Sequence, residues 1–305
     1  MLELRSGRFH AVFSPIGARL MALTYDGVDV VAGNKFDFDL ATADPYAGAL
    51  CGRYAGRISK AQFMLDGAFV KVAPNVKDFQ LHGGPENFAI KEWAVEADDY
   101  SIWFTLNSPD GDQGFPGSLD ATAIYKLKDN VLSLEIEATT TKPTVINLTN
   151  HAYWNMAGKG SVLDQDLQIN AASYLPLTDA LLPLGEIRKV EGSKFDFRSL
   201  RKIAEGYDTC FCLDGPRGEM KHGLTLRDPA SGRRMEVWTT ECAIQMYTAI
   251  NWNATVPAKS GTLQPSQAIA IEPQNYPDAP NHLNFPSAVL RPNETYRNVI
   301  EWRFS

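Results

Sequence analysis

The strongest pattern in the chain is a period of two. "VLSLEIEA" (131–138) sets Leu132, Leu134 and Ile136 against Ser133, Glu135 and Glu137. "NVIEWRFS" (298–305) sets Ile300, Trp302 and Phe304 against Glu301 and Arg303. Successive side chains of a strand point to opposite faces, so this alternation predicts half-buried strands in antiparallel sheets. "ATAIYKL" (121–127) and "RMEVWTT" (234–240) are also rich in strand formers. Lys128-Asp129-Asn130 separates two such runs and reads as a hairpin turn. Helical candidates are few and short; the best is "FRSLRKIAEG" (197–206), ending at Gly206. The 18 prolines and 23 glycines punctuate the chain at loop-like spacings, with no linker, low-complexity tract or repeat to divide it. The expectation is an all-β protein, a large antiparallel β-sandwich, formed as a single domain over 1–305.

Composition excludes several classes of function. The net charge is −7 and no run of Lys and Arg makes a phosphate-binding stripe, which argues against nucleic acid. No apolar stretch approaches the ~20 residues of a membrane helix, and "MLELRSGRFHAVF" has charges where an export signal has an apolar core. The expectation is a cytoplasmic protein with no membrane partner, monomeric or homodimeric. Four cysteines do not make a disulfide framework, and Cys210 and Cys212 lie too close together for an easy bridge within a strand. Reduced thiols are expected, which leaves the sequons at Asn147, Asn253 and Asn293 without meaning.

Chemistry concentrates in a few stretches. "NLTNHAYWNM" (147–156) surrounds His151 with amides, a hydroxyl, and the rings of Tyr153 and Trp154. A sugar uses both kinds of group, because it has hydroxyls on its rim and C–H groups on its faces. His82 stands in "LHGG", where the glycines permit a sharp turn or a close backbone approach. In "IEPQNYPDAPNH" (271–282), Glu272 follows the apolar "AIAI" and is expected to emerge at the end of a buried strand. Partial burial there raises a carboxylate's pKa and suits it to act as a base. "GRYAGRI" (52–58) offers Arg53 and Arg57, and "GYDTCF" (206–211) offers Asp208 ahead of an apolar run. "PDGDQGFPG" (109–117) resembles part of a calcium loop but lacks the closing glutamate, and reads as a turn-rich loop. No HExxH, CxxC, GxGxxG or P-loop occurs; zinc on His82, His151 and Glu272 has no support from spacing. His10, His222 and His282 lack such company and read as surface residues.

Taken in order, "GARLMALTYDGVDVVAG", "GRYAGRI", "LHGG", "SPDGDQGFPG", "NLTNHAYWNM", "GYDTCF", "EVWTTECAIQMYT" and "EPQNYPDAPNHLNFPSAVLRPNETY" resemble the aldose 1-epimerase family, the galactose mutarotases. The resemblance covers almost the whole chain. It implies a galactose mutarotase-like supersandwich fold and interconversion of the α and β anomers of a free monosaccharide, with no metal or other cofactor. It implies Glu272 as base and His151 as acid, with His82, Arg57, Asp208 and Gln245 holding the sugar. Three stretches depart from the family pattern. Gly56 stands where Asn is usual before Arg57, and is expected to leave a hole beside that arginine. Thr209 replaces a histidine, and "YTAI" replaces "YTGN" after Gln245. Two other readings share the scaffold: a hexose-6-phosphate 1-epimerase, with Arg53 and Arg57 contributing to a phosphate site, and a sugar-binding protein without turnover.

Overall fold

The computed structural model describes residues 1–305. Two large sheets and a smaller one carry the architecture. The first is nine-stranded, in the order Ala94–Ala97, Ser101–Ser108, Leu119–Lys128, Val131–Thr140, Tyr296–Phe304, Arg234–Thr239, Lys221–Arg227, Asp166–Ile169 and Arg201–Lys202. The second is seven-stranded, in the order Arg188–Lys189, Ser173–Leu175, Asp208–Cys212, Ala243–Tyr247, Ile269–Gln274, Tyr153–Trp154 and Val31–Ala32. All neighbours within both sheets are antiparallel. A four-stranded sheet, from Leu2–Ser6 to Val28–Asp29, covers one end.

The alternation at 131–138 does what its period requires. Leu132, Leu134 and Ile136 are fully buried, while Ser133, Glu135 and Glu137 are half exposed. Strands Leu119–Lys128 and Val131–Thr140 pair through a two-residue turn, in which Asp129 takes φ +53°, a conformation Asp tolerates. The inner faces of the sheets meet in one apolar core. It joins Trp302 and Phe304 of the nine-stranded sheet to Trp154, Phe211, Ile244, Met246 and Ile271 of the seven-stranded sheet. The Trp154 and Trp302 ring centres lie 5.5 Å apart, and Phe13 of the small sheet lies 4.7 Å from Tyr125.

The helix expected at 197–206 does not form. Phe197 and Ile203 are both fully buried, and Arg201–Lys202 pairs with Asp166–Leu167 as an edge strand. The backbone N–H of Ile203 donates to the Gln165 carbonyl, and the Arg201 guanidinium donates to the carbonyls of Lys194 and Asp196. Ladder and side-chain bonds to distant segments outweigh a weak local helix propensity. The only helical turns are four short 3₁₀ segments. No helix is long and apolar enough to cross a membrane.

The loop 109–117 is held by protein groups. Asp110 pairs with Lys142 and accepts the Gly117 N–H, and Asp112 pairs with Lys91 and takes the Ser108 hydroxyl. Arg53 is buried beside it and donates to the Ser108 hydroxyl and to the carbonyls of Ser108, Pro109, Pro116 and Gly117. All four cysteines are buried free thiols.

Candidate active site

The seven-stranded sheet has two faces with opposite chemistry. Its register sets Asp208 opposite Tyr247, Gln245 opposite Glu272, and Ala270 opposite Tyr153. Side chains alternate, so Asp208, Gln245, Tyr247, Glu272 and Tyr153 share the face turned away from the core. Glu272 therefore lies inside the strand Ile269–Gln274, not at its end as expected. The strand runs on through Pro273, which breaks no ladder there. Beyond Ala270 no strand pairs on that side, and the Pro273 carbonyl accepts from the side chains of Thr149 and Asn298.

Two loops bring the histidines over this face. The His151 N–H donates to the Ala49 carbonyl, and its own carbonyl accepts from Gly48. His82, at φ +51°, follows the short strand Gln80–Leu81 paired with Arg57–Ile58. Its N–H donates to the Gly56 carbonyl, and the Gly56 N–H donates back to Nδ1 at 3.2 Å. Gly83 next to it is required: a Cβ there would lie 2.0 Å from the Gly52 carbonyl oxygen.

The result is a cavity of about 190 Å³ whose lining includes Arg57, His82, His151, Asp208, Gln245 and Glu272. All six residues singled out from the sequence thus face one space. His151 Nε2 lies 3.5 Å from Glu272 Oε1, and both side chains are almost fully buried. Gln245 donates to Asp208 Oδ1 at 2.5 Å, and the Arg57 guanidinium lies 3.8 Å from Asp208 Oδ2. Arg57 Nε, His151 Nδ1 and Glu272 Oε2 are buried polar atoms with no partner in the protein. Gln274, below Glu272 on the same face, leaves both of its amide atoms unpartnered.

Electrostatics follow burial. Desolvation pushes the Glu272 carboxyl well above its usual range, helped by the Asp208 charge and opposed by Arg57. Desolvation pulls His151 down to about 4, against the charge of Asp44, which favours the imidazolium. His82 is pulled down for the same reason, with His151 and Arg57 adding to it. Asp208 is raised by burial despite Arg57 and Gln245.

His82, His151 and Glu272 present ligand atoms within 4.8 Å of one another. Tetrahedral zinc ligands at ~2.1 Å from the metal stand ~3.4 Å apart, a spacing that His151 and Glu272 meet at 3.5 Å, so His82 decides whether the three suit the metal. The Gly56 N–H claims the lone pair on His82 Nδ1, so in the neutral ring the proton sits on Nε2. That nitrogen is a donor and offers no lone pair to a metal.

Sequence reasoning overlooked part of the site. Tyr46 stacks near His82 at 4.7 Å and His151 at 6.0 Å, and lines the cavity. Asp44 caps the backbone N–H groups of Tyr46 and Ala47 and accepts from Trp252 Nε1, whose ring packs 4.4 Å from Tyr153. "DPYAG" carries no local signal; only folding brings it over the histidines. Arg53, in contrast, is occupied by the Ser108 hydroxyl and loop carbonyls and cannot serve a ligand. Gly56 lines the cavity beside Arg57, and a Cβ there would lie 3.2 Å from Pro277 and 3.4 Å from Gln274 Nε2. His10 pairs with Glu3, His222 with Asn170 and Thr225, and His282 with Asp278, all outside the cavity lining.

Comparison with known proteins decides the family. The family model for aldose 1-epimerase matches residues 1–303. The chain belongs to the aldose 1-epimerase family. It is 37% identical to galactose mutarotase of Rattus norvegicus, over 99% of this chain and 93% of that one. It is also 37% identical to aldose 1-epimerase of Escherichia coli K12, over 85% of this chain and 80% of that one. An aldose epimerase homologue from C. elegans superposes with a TM-score of 0.93 at 29% identity, over 100% of this chain and 98% of the other. The fold is that of the galactose mutarotases, and the activity is that of a carbohydrate isomerase, an aldose 1-epimerase.

Proposed function

We propose that this aldose 1-epimerase works on a free monosaccharide, with Glu272 as base and His151 as acid. The observation that carries this reading is the buried Glu272–His151 pair at 3.5 Å, flanked by His82, Arg57, Asp208 and Gln245. Glu272 takes the proton from the C1 hydroxyl while His151 protonates the ring oxygen. The C1–ring-oxygen bond breaks, its electrons leave with the oxygen, and C1 becomes an aldehyde. After rotation about C1–C2 the hydroxyl re-attacks the other face of the carbonyl. Its proton returns to His151, and the C1 oxygen recovers one from Glu272.

Only one proton is shared by this pair. Burial favours the neutral arrangement, with the proton on Glu272, whereas the chemistry starts from carboxylate and imidazolium. A sugar hydroxyl donating to Glu272 and a ring oxygen accepting from His151 favour that ion pair, as does the charge of Asp44. His82 Nε2–H, Arg57 and the Asp208–Gln245 pair suit the remaining hydroxyls, and Tyr46 and Tyr153 offer faces to the sugar C–H groups.

A phosphorylated hexose fits less well. Arg57 is the one cation lining the cavity, against Asp208 and Glu272, and Arg53 is occupied elsewhere. Four buried thiols support work in a reducing compartment, the cytoplasm. The strand Tyr296–Phe304, set between Val131–Thr140 and Arg234–Thr239, supports treating 1–305 as one domain.

The test is polarimetry on freshly dissolved α-D-galactose, α-D-glucose, L-arabinose and D-xylose. The parent accelerates the decay of rotation and Glu272→Gln does not. Equal acceleration by both sinks the assignment of the base.

A further inference from the structure

Two aromatic rings flank His151 in the cavity. Tyr46 lies 6.0 Å from it between ring centres and within 26° of parallel, and Tyr153 lies 5.0 Å away. Both rings are held through one carboxylate that lies outside the cavity lining. Asp44 Oδ1 accepts the backbone N–H groups of Tyr46 and Ala47 at 2.9 and 3.0 Å, which closes the turn that carries Tyr46. Asp44 Oδ2 accepts Trp252 Nε1–H at 2.9 Å, and the Trp252 ring packs 4.4 Å from Tyr153. Trp252 is buried, so its N–H needs that partner. Three N–H groups converge on a group that only accepts.

The surroundings fix this carboxylate in place. Asn34 donates to the Asp44 carbonyl and accepts the Asp44 N–H. Arg19 is fully buried, pairs with no carboxylate, and donates to the carbonyls of Pro45 and Ala47 in the same turn. The next two residues bond to the acid's own backbone: the Gly48 N–H donates to the His151 carbonyl, and the His151 N–H donates to the Ala49 carbonyl. A shift of the turn at 44–47 therefore reaches His151 through its backbone and through the ring of Tyr46.

Charge follows the same route. Glu272, His82, Tyr46 and Tyr153 are the titratable groups around His151 in the cavity, with Asp44 and Arg19 behind them. Of the two behind, Asp44 favours the imidazolium and Arg19 opposes it.

We propose that Asp44 is a positioning residue for the acid: one carboxylate ties down Tyr46 and, through Trp252, Tyr153, and sets a negative charge behind the imidazolium that must form on His151. This rests on the mutarotase reading above, with His151 as acid. The experiment is polarimetry on D-glucose over a range of sugar concentrations, at half-unit steps of pH, with the parent, Asp44→Asn and Trp252→Phe. Asp44→Asn removes the charge and turns one acceptor into a donor, so one tie breaks; Asn still closes turns as Asp does, so the variant folds. Trp252→Phe breaks the indole tie and keeps the charge.

The expected result for Asp44→Asn is a fall in kcat of about tenfold or more with little change in KM. Its profile of kcat/KM against pH moves as a whole to lower pH, because each protonation of the Glu272–His151 pair is less favourable without the anion. Trp252→Phe lowers kcat by a smaller factor and leaves the profile where it is. An unshifted profile in Asp44→Asn is what a purely structural carboxylate gives, and it overturns the proposal. Parent kcat in Trp252→Phe overturns the tie to Tyr153. A parent inert on every aldose overturns the mutarotase reading instead. The titration of the His151 ring, followed by NMR in the parent and Asp44→Asn, then decides the role of Asp44: a lower midpoint in the variant supports it, and an equal one sinks it.

Discussion

The two faces of the seven-stranded sheet are made from the same strands and differ in every respect that matters. Ile269, Ile271, Ile244, Met246 and Phe211 point inward and are fully buried among apolar neighbours. One residue along, Glu272, Gln245 and Asp208 point outward into the cavity, and Glu272 Oε2 has no partner. A strand's period of two separates stability from chemistry at a distance of one residue. The inner face sets where the outer one stands.

Substitutions at neighbouring positions test how complete that separation is. Glu272→Gln should cut mutarotation by at least ~10²-fold while the melting temperature holds, since it keeps the shape and removes the base. Ile271→Ala should do the reverse, costing about 2–5 kcal/mol by denaturant unfolding while the folded fraction keeps its turnover. If Ile271→Ala lost turnover as steeply as Glu272→Gln, the faces would not be separable. His151→Asn should also lower kcat strongly, and polarimetry over a range of sugar concentrations checks it.

Acid sharpens the comparison, because the pair's two titrations oppose each other. An unfolded histidine takes up a proton near pH 6.5, but folded His151 does so only at about 4. Between those values His151 makes the unfolded state bind more protons, so stability falls as pH falls. Glu272 is raised above its usual 4.5, so the folded state holds the extra proton above that pH, and stability rises as pH falls toward 4.5. In the parent the two effects oppose each other above pH 4.5. Relative to the parent, Glu272→Gln should become more acid-labile, and His151→Asn less so, by at most about 1.4 kcal/mol per pH unit. Melting curves at half-unit steps from pH 7 to 4 check both signs. Parallel curves for all three proteins would mean the buried pair does not titrate as described.

The smallest effect belongs to Gln274. It is fully buried on the cavity side of the sheet with both amide atoms unpartnered. Gln274→Met keeps the volume and removes the unsatisfied groups, and should raise stability by about 1 kcal/mol in a urea midpoint measurement. A loss instead would show that the amide is bonded in solution.

Much of this was legible in the sequence, for reasons that differ by residue. The alternation at 131–138 and 298–305 announces its faces because each strand is half buried. The hairpin at Asp129-Asn130 is a local matter and reads locally. Glu272, His151, His82, Arg57, Asp208 and Gln245 were found through motif order, and all six meet in one cavity. The failures share a cause: each depended on a distant segment. The 197–206 helix yields to pairing with Asp166–Leu167. Arg53 and Arg57 are alike in sequence, yet only folding sends one into the loop carbonyls and the other into the cavity. Tyr46 reaches the histidines across the fold, and Pro277 packs beside Gly56.

Three of the four buried thiols, Cys210, Cys212 and Cys242, give the sheet a clock. Burial pushes Cys210 and Cys51 well above the usual thiol range, Cys212 to about 11 and Cys242 to about 12. A thiol in that state does not react with an alkylating reagent at neutral pH, because the thiolate is the nucleophile. Cys210 and Cys212 lie within the strand that begins at Asp208, and Cys242 lies just before the strand that carries Gln245. Alkylation therefore waits for those strands to separate. The rate at which label appears on those three cysteines counts openings of the site's own floor, on a timescale that turnover assays never sample.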